Sequence, residues 1–133
     1  MNLVIKDTIT IKVLQQHFSK EFAYLKLEFF DIPPSTDELF KLHHCANHKT
    51  LGACRKLHTE GTILITPNLT VEKLELTLWE KFGLSTKVFR KSGNLWIEPT
   101  LTESWTLKRQ NDEGQIFSNI KNDLQEDEKS VVQ

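Results

Sequence analysis

The sequence contains the same helical pattern twice, and this duplication limits the possible folds more than any other feature. The segment TITIKVLQQHFSKEFA (8–23) aligns without a gap to NLTVEKLELTLWEKFG (68–83), sixty positions later. In each copy, apolar residues recur every three or four positions, which places them on one face of a helix. Thr10 and Thr70 stand directly before the first of these residues, where a threonine side chain can cap a helix. The sequence therefore predicts two equivalent amphipathic helices.

Each predicted helix lies between two segments that are typical of β-strands. NLVIK (2–6) and TILIT (62–66) precede the helices, and YLKLEFF (24–30) and TKVFRK (86–91) follow them. Neither strand-helix-strand unit could bury its apolar side alone, so we expect the two units to share one sheet with both helices on one face. The sequence therefore predicts an α+β fold. A ferredoxin-like sheet is the first choice, and a ubiquitin-like grasp around one helix is the second.

Both units end in a shorter helical segment that starts with Thr-Leu and stops at Glu-Gly. These segments are 50–61 and 106–114, and a final glycine suits the left-handed cap of a helix. Before this segment, the first unit inserts residues 31–49. The second unit instead has a Gly-Asn dipeptide, which favours a tight hairpin into a further strand at 95–98.

These patterns predict a single domain at residues 1–114, made of repeat 1 (1–60) and repeat 2 (61–114). The segment 115–133 has few large apolar side chains and a run of acidic ones, which is typical of a mobile tail. Three of its apolar residues recur every four positions: Ile116, Ile120 and Leu124. This spacing leaves a short terminal helix as the alternative.

Composition and charge favour a cytoplasmic protein. Of the 133 residues, 38% are hydrophobic and 26% are charged, as is usual for one soluble domain. Lys6 and Asp7 follow only three apolar residues, which excludes a signal-peptide core, and no apolar run approaches the roughly 20 residues that cross a bilayer. We therefore expect no membrane contact. The net charge of -1 provides no strong field, which argues against nucleic acid as a partner.

Several motifs resemble those of a group of short bacterial proteins without assigned activity. The motifs are VFRKSGNLW, WTLKRQNDEG, YLKLEFF, LGACRKLHTEG and ITPNLTVEKLE, of which the first two are the most distinctive. The resemblance covers about residues 24–114 and implies a fold-sized unit without a catalytic residue. The shared pattern includes His58 but neither Cys45 nor Cys54. This difference argues against a cysteine-based site.

The segment HHCANHKTLGACRKLH (43–58) is the main candidate for a metal site. It holds both cysteines and four of the five histidines. Within the pairs Cys45 with His48 and Cys54 with His58, spacings of three and four residues can direct two ligands to one zinc ion. However, only five residues separate the pairs, whereas zinc fingers usually place a dozen or more there. We therefore predict no metal and no other cofactor, with zinc binding as an alternative.

The sequence contains no recognisable catalytic or phosphate-binding motif. Neither cysteine lies in a nucleophile elbow or glycine-rich turn, and no phosphate loop or dinucleotide fingerprint is present. We therefore predict that the protein is not an enzyme. A non-enzymatic protein-interaction or assembly module is the favoured function. The alternative is an anion or nucleic-acid site formed by four basic residues of the first short helix and the hairpin: Arg55, Lys56, Arg90 and Lys91.

The two repeated helices differ at two positions that indicate an interaction surface. Leu76 and Trp79 lie about 140° and 80° from the centre of the apolar face. At the equivalent positions the first helix has Gln16 and Ser19, which suit a solvent-exposed flank. The second helix must therefore be covered on a side where the first is not.

Two kinds of cover are possible for Leu76 and Trp79. Trp105 and Leu107 of the same chain are the first choice, because this apolar segment follows the hairpin strand closely and its tryptophan needs a place to be buried. A second copy of the chain in a homodimer is the alternative. The candidate residues for contact with an unidentified protein partner are Leu76, Trp79, Arg90 and Lys91.

Overall fold

The computed structural model describes the backbone of residues 1–131 and the side chains of residues 1–120. The strands in this part of the chain are β1 (Asn2–Ile5), β2 (Leu25–Phe30), β3 (Gly61–Leu64), β4 (Ser85–Ser92) and β5 (Leu95–Ile97). The α-helices are α1 (Ile11–Glu21), α2 (Leu51–Cys54), α3 (Val71–Phe82) and α4 (Leu107–Val131). Short 3-10 helices lie at Glu38–His43 and Thr100–Thr102. The predicted α+β class is confirmed.

The predicted repeat is present in the structure. α1 and α3 begin directly after Thr10 and Thr70, whose hydroxyl oxygens accept a hydrogen bond from the N–H three residues further on, at 3.3 and 3.1 Å. Thr50 and Thr106 cap α2 and α4 in the same way. The capping threonines also form β-bridges, Thr10 with Thr50 and Thr70 with Thr106. The start of α1 is thus bridged to the start of α2 in the same way as the start of α3 is bridged to the start of α4.

The backbone hydrogen bonds around these two bridges correspond closely. In both repeats, the first residue of each helix donates its N–H to the carbonyl of the residue before the opposite threonine, at 2.8 to 3.2 Å. These bonds satisfy N–H groups at the helix starts that have no partner within their own helix. In each repeat, the start of the helix that follows Thr50 or Thr106 therefore anchors the start of α1 or α3.

The strands do not share one sheet, which corrects the ferredoxin-like and ubiquitin-like expectations. β1 and β3 form a two-stranded antiparallel sheet, and a separate three-stranded sheet has the order β2-β4-β5. Equivalent strands of the two repeats pair with each other, since Leu3 lies opposite Ile63 and Leu27 opposite Val88. This pairing gives the repeats an approximate two-fold relation. Periodicity in the sequence indicates which face of a strand is buried but not which strand lies beside it.

The core lies between the two sheets and the apolar faces of α1 and α3. The buried positions of these helices are the ones that the sequence spacing predicts: Ile11, Leu14 and Phe18 in α1, and Val71, Leu74, Leu78 and Phe82 in α3. On β2 the inward side chains of Leu25, Leu27 and Phe29 are at most 1% exposed. Each such side chain contributes about 1.5–3 kcal/mol by burial.

The two glycines predicted to end short helices have other roles. α2 ends at Cys54, and Gly61 begins β3, whereas α4 continues through Gly114 to Val131. A Cβ atom on Gly114 would lie 2.8 Å from Tyr24 Cβ and 3.1 Å from Arg90 Cγ. Glycine at this position therefore allows α4 to pack closely against the sheet. Leu124 and the acidic residues of the predicted tail lie outside the described side chains.

Candidate functional site

β5 forms one edge of the three-stranded sheet and is apolar throughout. Leu95, Trp96 and Ile97 expose 64%, 37% and 36% of their surface. In the order β2-β4-β5, no further described strand follows β5. The N–H of Lys91, which lies opposite Trp96, donates to the carbonyl of Tyr24 at 2.9 Å on the β2 side. Because the backbone groups of Lys91 point away from β5, those of Trp96 point away from β4, towards the open edge.

The hairpin that carries β5 is held by α4. Gly93 has a φ of 66°, in the left-handed region that a tight hairpin requires and that glycine adopts without strain. Its N–H donates to Ser118 Oγ of α4 at 3.2 Å, and Ser118 is itself buried. The edge strand therefore projects from a supported turn rather than from a free loop.

The side chain of Trp96 lies on the outer face of the sheet, beside Lys26. Lys26 Nζ is 5.0 Å from the centroid of the Trp96 ring and 6.0 Å from that of Phe89. The same ammonium group lies 3.1 Å from Glu28 Oε1. With Phe30, Lys41 and His44, these residues line a cavity of about 280 Å³. Leu95 and Ile97 project to the opposite face of the sheet.

Two further lysines beside this outer face are paired with a carboxylate. Lys41 Nζ and Lys87 Nζ lie 3.2 and 3.8 Å from the two carboxylate oxygens of Glu98. These pairs, with that of Lys26 and Glu28, offset much of the local positive charge. The surface around Trp96 is therefore aromatic and only weakly basic.

Arg55, expected in a surface anion site, is an internal group. Its side chain is fully buried, and its Nε and Nη2 donate to Asp7 Oδ1 at 3.0 and 2.8 Å. Its Nη1 donates to the carbonyls of Thr59 and Phe82 at 2.7 and 2.9 Å. The guanidinium group therefore joins the β1–α1 connection, the α2–β3 connection and the end of α3, and these bonds occupy most of its donors.

Arg90 is also buried, at 9% exposure. Its Nη1 donates to Gln110 Oε1 at 2.8 Å, its guanidinium carbon lies 5.7 Å from the Phe117 ring, and its Nε has no hydrogen-bond partner among the described residues. Side chains alternate along β4, so Arg90 lies on the same inward face as Val88. This alternation could already be seen in the sequence. Lys56 is exposed and Lys91 is half-buried. Because both arginines are buried, neither is available to bind an anion at the surface.

The candidate zinc ligands are divided between the interior and the surface. Cys45 and Cys54 are buried free thiols, and burial, with a contribution from Cys54, raises the pKa of Cys45 to about 12. His48 is exposed. His58 Nδ1 lies 3.0 Å from Asp7 Oδ2, and this contact, with Arg55, holds the pKa of Asp7 below its usual value. Among the described side chains, no group of three or more histidines, cysteines or carboxylates could hold a metal ion.

The structure separates the predicted interaction residues of α3. Leu76 is 45% exposed, whereas Trp79 is half-buried at the wall of a cavity near the end of the helix. The residues expected to cover them lie elsewhere. Leu107 is in the core, and the carbonyl of Trp105 accepts the N–H of Val71 at the first turn of α3, at 3.2 Å. Val71 and Trp79 are eight residues apart, about 12 Å along a helix.

Glu75 is a titratable group that the sequence analysis did not identify. Burial raises its pKa from 4.5 to about 7, although the charge of Lys87 acts in the opposite direction. At the equivalent position α1 has Gln15, whose Nε2 donates to the carbonyl of Leu27 at 2.7 Å. The sequence could have indicated Glu75, because it places a carboxyl group where the first repeat has a glutamine.

Comparisons of the chain with protein-family models, with curated proteins and with solved structures found no match. Among the described residues, none of the helices has the length and apolar character that a membrane span requires.

Proposed function

We propose that the protein is a non-enzymatic interaction module that binds a protein partner by pairing one of the partner's extended segments with β5. The observation that carries this proposal is the open edge of β5, where Leu95, Trp96 and Ile97 are all apolar and all exposed. A partner strand would accept and donate hydrogen bonds at the outward backbone groups of Trp96. Its alternate side chains would contact Trp96 on one face and Leu95 and Ile97 on the other.

The composition of β5 supports this function because proteins usually protect such edges. Charged side chains, prolines and bulges on edge strands prevent unwanted pairing with other chains. The three residues of β5 have none of these devices, although Glu98 and Pro99 follow directly. An unprotected apolar edge is therefore consistent with a strand that is covered when the partner is bound.

The support of the hairpin by α4 adds a second argument. Binding is weakened when a flexible segment must first be ordered. The bond from Gly93 to Ser118 holds the turn before a partner arrives. Trp96 then supplies the kind of large, partly exposed aromatic side chain that often dominates the energy of an interface.

The two alternatives have less support. Anion or nucleic-acid binding through Arg55, Lys56, Arg90 and Lys91 is weakened by the burial of both arginines. Such binding would fall steeply with added salt, whereas pairing with an apolar edge would change little. Zinc binding by Cys45, His48, Cys54 and His58 is weakened by the separation of the buried thiols from the exposed imidazoles.

Selection from a phage-displayed library of linear peptides tests the proposal. The wild type should select peptides with alternating apolar residues, and their binding should slow hydrogen exchange at the Trp96 amide. Trp96→Pro removes the outward N–H and should abolish binding, while the edge position allows the variant to fold. Leu101→Lys is the matched control, because Leu101 is 98% exposed but lies outside the strands.

Two results would contradict the proposal. One is the absence of any selected peptide, and the other is peptides that bind Trp96→Pro as well as the wild type. Sedimentation of the wild type identifies the case in which the partner is a second copy of the chain. In that case the dimer should be lost in Trp96→Pro and kept in Leu101→Lys.

A further inference from the structure

A cavity of about 350 Å³ lies at the opposite end of β4 from the hairpin. Its apolar wall consists of Phe30, Ile32, Pro33, Leu57 and Trp79. Since Ile32 and Pro33 belong to the segment inserted in repeat 1, we call it the insert cavity. Its volume lies within the range of small-molecule sites, which begins at about 300 Å³.

The insert cavity exists because the two repeats differ at this position. In repeat 1, Ser19 Oγ donates to the carbonyl of Leu25 at 3.0 Å and holds the end of α1 against β2. In repeat 2 the equivalent residue is Trp79, which lines the cavity instead. The chain after α2 closes the other side, where a Cβ atom on Gly83 would lie only 2.7 Å from Leu57 Cβ. The cavity is therefore formed by departures from the repeat.

One polar group of the insert cavity lacks a partner. Ser85 lines the cavity, is only 3% exposed, and has a hydroxyl without a hydrogen bond to any described residue. A buried hydroxyl left in this state costs about 1–3 kcal/mol. A ligand with one suitably placed polar group would recover this free energy. The unpaired hydroxyl is an observation independent of the shape of the cavity.

The charges around the insert cavity limit the chemistry of a ligand. Asp31 and Glu80 line it together with Lys56, a basic side chain that makes no ion pair with another described residue. The remaining basic residue, Arg55, is bonded to Asp7 and to two carbonyls. The surroundings therefore carry no excess of positive charge, so phosphates and other anions would find no counter-charge there.

We propose that the insert cavity binds a small uncharged aromatic molecule of one or two rings with a single hydroxyl or amine. The ring lies against Trp79, in the offset or edge-to-face geometry that aromatic pairs favour, with Ile32, Pro33 and Leu57 around it. The polar group forms a hydrogen bond with Ser85 Oγ. This site is at the other end of β4 from β5, so the proposal does not depend on the interaction module.

Titration with phenol and 2-naphthol, followed by NMR, tests this proposal in the full chain. Trp79, Trp96 and Trp105 each provide one indole N–H signal, which the three Trp→Phe variants assign. Saturable shifts should occur at Trp79, and the other two signals should stay in place. Naphthalene-2-sulfonate has the ring system of 2-naphthol with a negative charge and should bind at least tenfold more weakly.

Three variants locate the binding. Ile32→Trp fills the cavity and should weaken 2-naphthol binding at least tenfold, whereas Leu39→Trp, in the same inserted segment but outside the cavity, should leave it unchanged. Ser85→Ala should weaken it about tenfold, as expected for one lost hydrogen bond. Neither phenol nor 2-naphthol shifting the Trp79 signal would overturn the proposal, as would shifts at Trp79 that persist unchanged in Ile32→Trp.

Discussion

The two repeats share the order strand, helix, strand and the same helix caps, but they satisfy their polar groups in different ways. In repeat 1, Gln15 and Ser19 on α1 both donate to carbonyls of β2. In repeat 2 the equivalent residues of α3 are Glu75, a partly buried carboxyl with a raised pKa, and Trp79, which lines a cavity. The shared caps and apolar faces are therefore sufficient for the fold. The positions that differ are free to acquire separate roles.

The Arg55 network provides the largest expected difference between the repeats. In repeat 1 the buried Arg55 pairs with the partly exposed Asp7, whereas the matched positions of repeat 2 are Asn111 and Pro67. We expect Arg55→Ala to lower the free energy of unfolding by about 3–4 kcal/mol, because it removes one partner of an ion pair and leaves two carbonyls unbonded. Urea denaturation measures this loss.

The exposed neighbour Lys56 supplies the control for Arg55. Lys56→Ala should change the free energy of unfolding by less than about 0.5 kcal/mol. A loss below about 1 kcal/mol for Arg55→Ala would mean that the internal bonds of this guanidinium contribute little to stability.

Glu75 provides the next effect, and it depends on pH. An unfolded chain releases the Glu75 proton near pH 4.5, whereas the folded chain keeps it until about pH 7. Raising the pH through this window therefore favours unfolding, and stability should fall by roughly 3 kcal/mol before levelling off above pH 7. Below pH 4.5 the carboxyl is protonated in both states, so the penalty is absent.

Glu75→Gln makes repeat 2 like repeat 1 at this position and should remove the penalty. In urea denaturation, the variant should match the wild type at pH 4.5 and be roughly 3 kcal/mol more stable at pH 8. Glu72→Gln, at an exposed position of the same helix, is the control. Equal pH profiles for Glu75→Gln and wild type would contradict the assignment.

The capping threonines should contribute equally in the two repeats. We expect Thr10→Ala and Thr70→Ala each to lower the free energy of unfolding by about 1 kcal/mol, since each loses one bond to a helix N–H. Differential scanning calorimetry compares the two variants. A large inequality would show that one helix start is held mainly by its β-bridge rather than by its cap.

Leu76 should give the smallest effect. Leu76→Gln copies Gln16 of the first helix, and because Leu76 is 45% exposed, the free energy of unfolding should change by less than about 0.5 kcal/mol. Thermal denaturation and sedimentation measure stability and association together. A wild-type dimer that this substitution dissociates would make Leu76 an interface residue and restore the second-copy explanation of the apolar flank.

Local features of the fold could be predicted from the sequence, whereas contacts between distant segments could not. The caps at Thr10 and Thr70, the apolar helix faces and the hairpin at Gly93 each depend on residues within one or two turns of chain. The pairing of β2 with β4 and the burial of Arg55 depend on segments far apart in sequence. Periodicity carries no information about such neighbours.

The same distinction applies to the candidate sites. The strand that became β5 was predicted, but its open edge depends on the strand order, and the expected sheet was wrong. The sequence showed that Trp79 stands where the first repeat has Ser19. It did not show that the inserted segment would lie across the cavity from Trp79. Differences between repeats thus indicated where to look but not which residues would be found there.

The pairing of equivalent strands has a consequence for biosynthesis. Neither β1 nor β2 pairs with a strand of its own repeat, and the partners Leu3 with Ile63 and Leu27 with Val88 are about sixty residues apart in the chain. A nascent chain therefore cannot pair β1 until β3 has left the ribosome, and it cannot pair β2 until β4 has followed. Such high contact order slows folding into the range of milliseconds to seconds. During that time the apolar faces of β1, α1 and β2 stay open to chaperones.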